Sequence, residues 1–271
     1  MANLSESLVN LTSQVLVFAL VFGMAATVDT ACFKTQIHNA KAITTGVLLQ
    51  FVLMPFLGFL VVKTLNPDYI TGLMILVVCC SPGGSYSNWW CSLFNADLAL
   101  SVTMTAVSTV LSVIMMPFNL YVYTHFAYDK DILHQIQWGS LFLSIFIVIL
   151  AIGLGFLASY HFRSHDFNLN ANRLGNFAGF ALVIFSLIMS NSNAEYQLWD
   201  RDWGFYLGVA APCVLGLVIA NGITTGLWLL APERMTVSIE CCYQNCGIAL
   251  VCGSAMFDGN DLAQAIGVPG K

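Results

Sequence analysis

Apolar residues in this chain gather into long blocks divided by short polar segments. The blocks lie at roughly 8–28, 39–63, 69–94, 97–123, 136–161, 172–191, 203–230 and 233–257. About 20 consecutive apolar residues in a helix cross a hydrocarbon layer ~30 Å thick, so every block is a candidate span. Barrel strands would instead alternate apolar and polar residues over ~10 positions, and no such alternation occurs. The pattern predicts an all-α membrane protein, a polytopic helical bundle in which residues 1–271 form one transmembrane domain. Two blocks carry polar interruptions, at 81–84 and near 241–245.

Composition strengthens this expectation. Of 271 residues, 58% are hydrophobic and 8% charged, with a mean hydropathy of +0.79. Soluble domains carry ~25% charged residues, so too little charge is available to cover a water-soluble globule. The net charge is −5 with no basic cluster, which excludes a nucleic-acid partner. Met1–Asn10 holds Glu6 and no Lys or Arg, unlike a cleaved signal peptide. Asn10-Leu11-Thr12 fits a glycosylation acceptor, which matters only on an extracellular N-terminus.

Lys34, Lys41, Arg163, Arg173 and Arg234 belong to odd-numbered loops. Lys63, Lys130, Arg201 and the terminal Lys271 lie on the other side, among acids such as Asp68 and Asp129. Under the positive-inside rule this bias favours an external N-terminus. All nine cysteines except Cys32 lie in apolar stretches, none with CxxC or Cys/His spacing. They read as small buried hydrophobes. The histidines at 38, 125, 134, 161 and 165 fall in loops or at block ends. No Ser/Lys, paired-Asp or His/Glu constellation lies at membrane depth, so the chain does not read as an enzyme.

The first interruption is Ser81-Pro82-Gly83-Gly84. Proline removes a backbone donor and clashes with the preceding turn, and the glycine pair frees the backbone. Freed backbone groups cost several kcal/mol each in hydrocarbon, so a break survives only where it is buried in protein or lines a wet cavity. Ser85, Ser87 and Asn88 then open a new half-helix, whose amides and positive dipole end favour an anion. The next block carries Ser101, Thr105, Ser108 and Ser112 at steps of four, three and four, which puts four hydroxyls on one face. The bland alternative is that each bonds its own preceding turn.

The second interruption follows Glu240, the one acid well inside a predicted span. A carboxylate at bilayer centre costs ~2.5–3.5 kcal/mol on insertion scales, and no Lys or Arg lies at its depth. A bound cation, a proton or solvent remain as partners. Gln244 lies one turn later, with Asn245 beside it. Gln50, isolated in the run Val47–Phe59, reads equally as interhelical polar glue or as a ligand. Asn221-Gly222 in the seventh block reads as packing. Two interrupted helices in corresponding halves point to a transporter binding site.

These residues resemble the sodium/bile acid symporter family. Pro82-Gly83-Gly84-x-x-Ser87-Asn88 with Ser101 and Thr105 matches its first broken helix and the helix after it. Glu240-x-x-x-Gln244-Asn245 matches the second, and Gln50 with Met54-Pro55 the helix before the first break. The resemblance implies inverted repeats and two broken, crossing helices. It also implies a panel (approximately 8–28, 136–161, 172–191) that moves against a core (approximately 39–63, 69–94, 97–123, 203–230, 233–257).

It further implies two sodium ions. The first would sit on Ser87, Asn88, Ser101, Thr105 and Glu240. The second would sit on Gln50, Glu240 and Gln244 with the carbonyls of Cys241 and Tyr243. A small organic anion, bile-acid-like or steroid-sulfate-like, would lie near Ser85 and Asn245, and the membrane would be a plasma membrane or bacterial inner membrane. Trp89, Trp90 and Tyr243 are bulkier than the pattern calls for, which leaves the crevice shape and the substrate open. The family continues with a further helix beyond Gly270-Lys271. The rival readings are a sodium-independent or proton-coupled exporter of arsenite or weak acids, using Cys80, Cys91, Cys241 or Cys242, and a non-transporting receptor.

Overall fold

The computed structural model describes residues 2–27, 35–84, 87–128, 138–162, 164–191, 203–257, 261, 264–265 and 268. They form ten helical segments: α1 (Ala2–Ala26), α2 (Ala40–Leu65), α3 (Tyr69–Cys80), α4 (Ser87–Leu93), α5 (Leu98–Ala127), α6 (Trp138–His161), α7 (His165–Asn191), α8 (Trp203–Gly226), α9 (Ala231–Cys242) and α10 (Cys246–Met256). The protein is all-α and membrane-embedded. Among the described residues α2, α5 and α8 are long and apolar enough to cross a bilayer. Large apolar side chains such as Ile114, Phe177 and Val218 point outward, as expected where lipid replaces water.

Polar residues set the helix ends. Asp68 and Asp97 accept the amides of Thr71 (3.1 Å) and Leu100 (3.0 Å), opening α3 and α5. Asn245 accepts that of Ile248 (3.1 Å) to open α10. Caps of this kind contribute about 1 kcal/mol each. Asp97 also ties α5 to α9, its amide donating to the Thr236 hydroxyl at 2.9 Å.

One irregularity inside α2 follows from its sequence. Pro55 has no N–H, so the Phe51 carbonyl four residues earlier has no helical donor. The backbone widens into a π-turn over Leu49–Leu53, the Met54 amide reaching back to Leu49. Asn119 of α5 then donates its side-chain amide to the stranded Phe51 carbonyl at 2.8 Å. Such π-turns recur at functional sites, and this one contains Gln50.

α1 packs against α6 and α7 and touches α10, while α8 packs on α2 and α9, and α5 on α3, α4 and α9. Small residues permit the close approaches, as is usual between membrane helices. A Cβ on Gly155 of α6 would lie 2.6 Å from Ala25 Cβ and 2.8 Å from the Phe22 carbonyl of α1. The Asn221-Gly222 pair does not pack as expected: Asn221 is exposed and a Cβ on Gly222 would meet open space. Asn221 instead accepts the Thr225 hydroxyl through its carbonyl at 2.6 Å. The α7 helix begins at His165 rather than near 172, so Arg173 is helical rather than in a loop.

The α1–α6 contact gives the first test. Gly155→Val should force the helices apart at a cost of about 1–3 kcal/mol and lower the unfolding temperature in detergent. Gly153→Val, two residues away with nothing within 4 Å, should leave it nearly unchanged. Equal melting temperatures for the two variants would contradict this packing.

Candidate functional site

The two helix breaks complete each other. Ser81 precedes proline, a position biased toward extended backbone, and takes ψ 158°. Tyr243 is likewise extended at φ −89°, ψ 91°. The two segments run antiparallel, with Gly83 opposite Gln244. The Gly84 amide donates to the Tyr243 carbonyl (2.6 Å) and the Asn245 amide to the Pro82 carbonyl (2.8 Å). Backbone groups that would be orphaned in the membrane interior are thus satisfied by each other. The approach requires glycine, because a Cβ on Gly84 would lie 2.6 Å from the Gln244 carbonyl oxygen.

Glu240, in the last turn of α9, is 2% exposed and faces three hydroxyls. Ser87 of α4 lies 2.7 Å from Oε1, Thr105 of α5 lies 2.8 Å from Oε2, and Ser101 makes a short contact to Oε1. Among the described residues no basic side chain pairs with this carboxylate. The hydroxyls are also shared: Ser87 Oγ lies 2.6 Å from the Gly84 carbonyl, and Thr105 Oγ1 lies 3.1 Å from the Ser101 carbonyl. A hydroxyl has one proton, so it can satisfy only one of two acceptors. The Gly84 carbonyl also takes the Ser87 amide at 3.2 Å, so the cluster is a buried acid ringed by neutral hydroxyls.

Gln50 and Gln244 form a second cluster at the same crossing. Gln50 donates through Nε2 to Gln244 Oε1 (2.6 Å) and to the Ser81 carbonyl (2.8 Å), while Gln244 donates to the Cys241 carbonyl (2.7 Å). α2 is thereby bonded to both breaks.

The proposed first set therefore comes together in Ser87, Ser101, Thr105 and Glu240. Asn88 lies in α4, but its side chain, like the whole of Ser85, is outside the described residues. Of the second set, Gln50, Gln244 and the Cys241 carbonyl converge. The Tyr243 carbonyl takes the Gly84 amide, and the described partners of the Glu240 carboxylate belong to the first set. The hydroxyl stripe of α5 divides. Ser101 and Thr105 reach Glu240, Ser108 receives the Gly83 amide at 3.3 Å, and Ser112 only bonds its own helix at the Thr109 carbonyl (2.7 Å). Cys241 also bonds its own helix, its thiol lying 3.0 Å from the Val237 carbonyl.

A cavity of about 740 Å³ lies beside the crossing, between α1, α6 and α7 on one side and α5 with the second break on the other. Trp90, Thr105, Tyr243 and Asn245 line it. Asn172 and Asn176 of α7 also face it, and the sequence pattern did not single them out. Their signal was two amides one turn apart at the head of an apolar block.

Residues 14–199 match the Sodium Bile acid symporter family. The ileal sodium/bile acid cotransporter of Oryctolagus cuniculus is 30% identical over 263 residues, covering 94% of this chain and 72% of that protein. The hepatic sodium/bile acid cotransporter of Rattus norvegicus is 27% identical over 230 residues, 83% of this chain and 62% of that protein. The hepatic cotransporter of Homo sapiens is 31% identical over 146 residues, 53% of this chain and 42% of that protein. The chain thus spans only part of the length of these two hepatic relatives. The family is one of transporters rather than enzymes. This chain belongs to the Sodium Bile acid symporter family.

Proposed function

We propose that this protein carries an amphipathic organic anion, bile-acid-like or steroid-sulfate-like, together with two sodium ions by alternating access. The observation that carries the reading is the Glu240 cluster, where a buried carboxylate meets three neutral hydroxyls and, among the described residues, no basic side chain. A hard cation supplies the missing positive charge and takes carboxylate and hydroxyl oxygens as its ligands. The first ion would be held by Ser87, Asn88, Ser101, Thr105 and Glu240. The second would be held by Gln50, Gln244 and the Cys241 carbonyl, with Tyr243 and Glu240 completing its surroundings. Gln50 and Gln244 must turn their amide oxygens toward that ion, exchanging their mutual hydrogen bond for coordination.

The anion would bind in the cavity lined by Asn245 at the start of α10, with Ser85 as its second expected contact. Two sodium ions moving with one anion carry a net positive charge, worth ~2.3 kcal/mol per 100 mV of membrane potential. α1, α6 and α7 would act as the panel and the other helices as the core, the halves being related as inverted repeats. The N-terminus would be external, in a plasma membrane or bacterial inner membrane.

In proteoliposomes, uptake of a labelled bile salt should require external sodium, and equal uptake with choline would sink the coupling. Glu240→Gln, which keeps shape and removes charge, should cut sodium-driven uptake at least tenfold. The two-ion assignment has its own readout. The sodium dependence of uptake should show a Hill slope approaching two. Gln50→Leu should lower it toward one and raise the half-saturating sodium concentration about tenfold, the effect of one to two lost hydrogen-bonding groups. A wild-type slope of one would remove the second site.

A further inference from the structure

The cavity beside the crossing carries side-chain amides on two walls, and the walls differ in what they offer. Among its described lining residues there is no Lys, Arg or His, so an anion is met by neutral donors. On the crossing side, the Thr109 hydroxyl is spent on the Thr105 carbonyl (2.6 Å), and Thr105 faces Glu240. Asn245 uses its Oδ1 to cap α10 (3.1 Å), so its amide N–H groups are what remain for a ligand. Donors without an acceptor suit an anionic group.

The α7 wall differs. Asn176 donates to Asn172 Oδ1 at 3.3 Å across one helical turn. Each amide has two N–H donors and one oxygen. The pair therefore keeps the Asn172 N–H groups, the second Asn176 N–H and the Asn176 oxygen, donors and an acceptor side by side. Both residues are exposed to the cavity, and their neighbours on the same wall, such as Phe180 and Val183, are apolar. A carboxylate would meet the Asn176 oxygen as a repulsive neighbour. A hydroxyl, which donates and accepts at once, matches the pair.

We infer that Asn172 and Asn176 read a neutral hydroxyl on the carried anion, remote from its charged group, and so set which members of the substrate class are taken. This rests on the transport reading above and adds to it the residues that choose among the carried anions. A ligand that laid plain hydrocarbon over the pair would strip the amides of water without replacing the hydrogen bonds. Sites built to bond a hydroxyl reject analogues lacking it for that reason.

The test is sodium-dependent binding to the purified protein of two probes, a cholanoate with three ring hydroxyls and the parent cholanoate with none. The quantity read is the ratio of their affinities. In Asn172→Leu/Asn176→Leu this ratio should shift against the hydroxylated probe by about tenfold relative to the unsubstituted protein. Asn172→Ser/Asn176→Ser, which restores a donor and acceptor, should recover part of the shift. A ratio unchanged in the leucine variant overturns the inference, as does an equal loss of both probes. Absence of sodium-dependent binding of either probe to the unsubstituted protein overturns the transport reading as well.

Discussion

Every feature of the site depends on the exchange of backbone hydrogen bonds between the two broken helices. In hydrocarbon an unpaired amide or carbonyl costs several kcal/mol, so neither break could stand alone at depth. The Gly84–Tyr243 and Asn245–Pro82 bonds make each break the solvent of the other. The match also fixes where Glu240 lies: a Cβ on Gly83 would be 3.0 Å from its Oε2 and 3.3 Å from its carbonyl oxygen. The glycines of the first break therefore make room for the carboxylate of the second. Moving either strand by one residue would separate Glu240 from Ser87 and leave two pairs of buried backbone groups unsatisfied.

The same logic reaches outward to α2 and α5. Pro55 strands the Phe51 carbonyl, Asn119 satisfies it, and the π-turn that results contains Gln50. Gln50 bonds the Ser81 carbonyl on one break and Gln244 on the other. A proline one and a half turns beyond Gln50 thus contributes to a polar network that joins three helices without a single ion pair. Such networks are stable only when every member is satisfied. Here the amide N–H groups of Gln50 and Gln244 find acceptors within the protein, while the described side-chain partners of the Glu240 carboxylate are neutral hydroxyls.

Much of this was legible in the residues. Block length gave the helices because hydrocarbon thickness constrains them, and proline with glycine gave the breaks because backbone chemistry does. Glu240 was visible as a lone acid with no basic residue at its depth. Three things were not legible. Helical periodicity places Ser101, Thr105, Ser108 and Ser112 on one face but does not say what faces them, so Ser112 looked equivalent to Thr105 and is not. Asn119 needs a partner 68 residues away, and its role emerges only when the missing Pro55 donor is traced to Phe51. Asn172 and Asn176 fell at the expected start of a span, where polar residues are ordinary. With α7 beginning at His165, they lie inside the helix and against the cavity.

Thr105 and Asn245 are among the residues that belong to both the ion cluster or crossing and the cavity, and this decides how ion and anion could communicate. Thr105 turns its hydroxyl to Glu240 while lining the cavity, and Asn245 donates its backbone amide to Pro82, caps α10 and lines the same space. On the proposed reading, a cation at Glu240 would take Thr105 as a ligand and fix the wall on which the anion rests. The anion in turn would lower the local potential and hold the cation. Coupling of this kind is reciprocal by thermodynamic necessity. It needs no long pathway, because a shared threonine and the strand pairing of the breaks already connect the two clusters. The α7 wall lies outside that shared network, since Asn172 and Asn176 bond one another rather than the crossing. Selectivity for the ligand's neutral face could therefore change without disturbing the ion cluster, which separates what is carried from how it is driven.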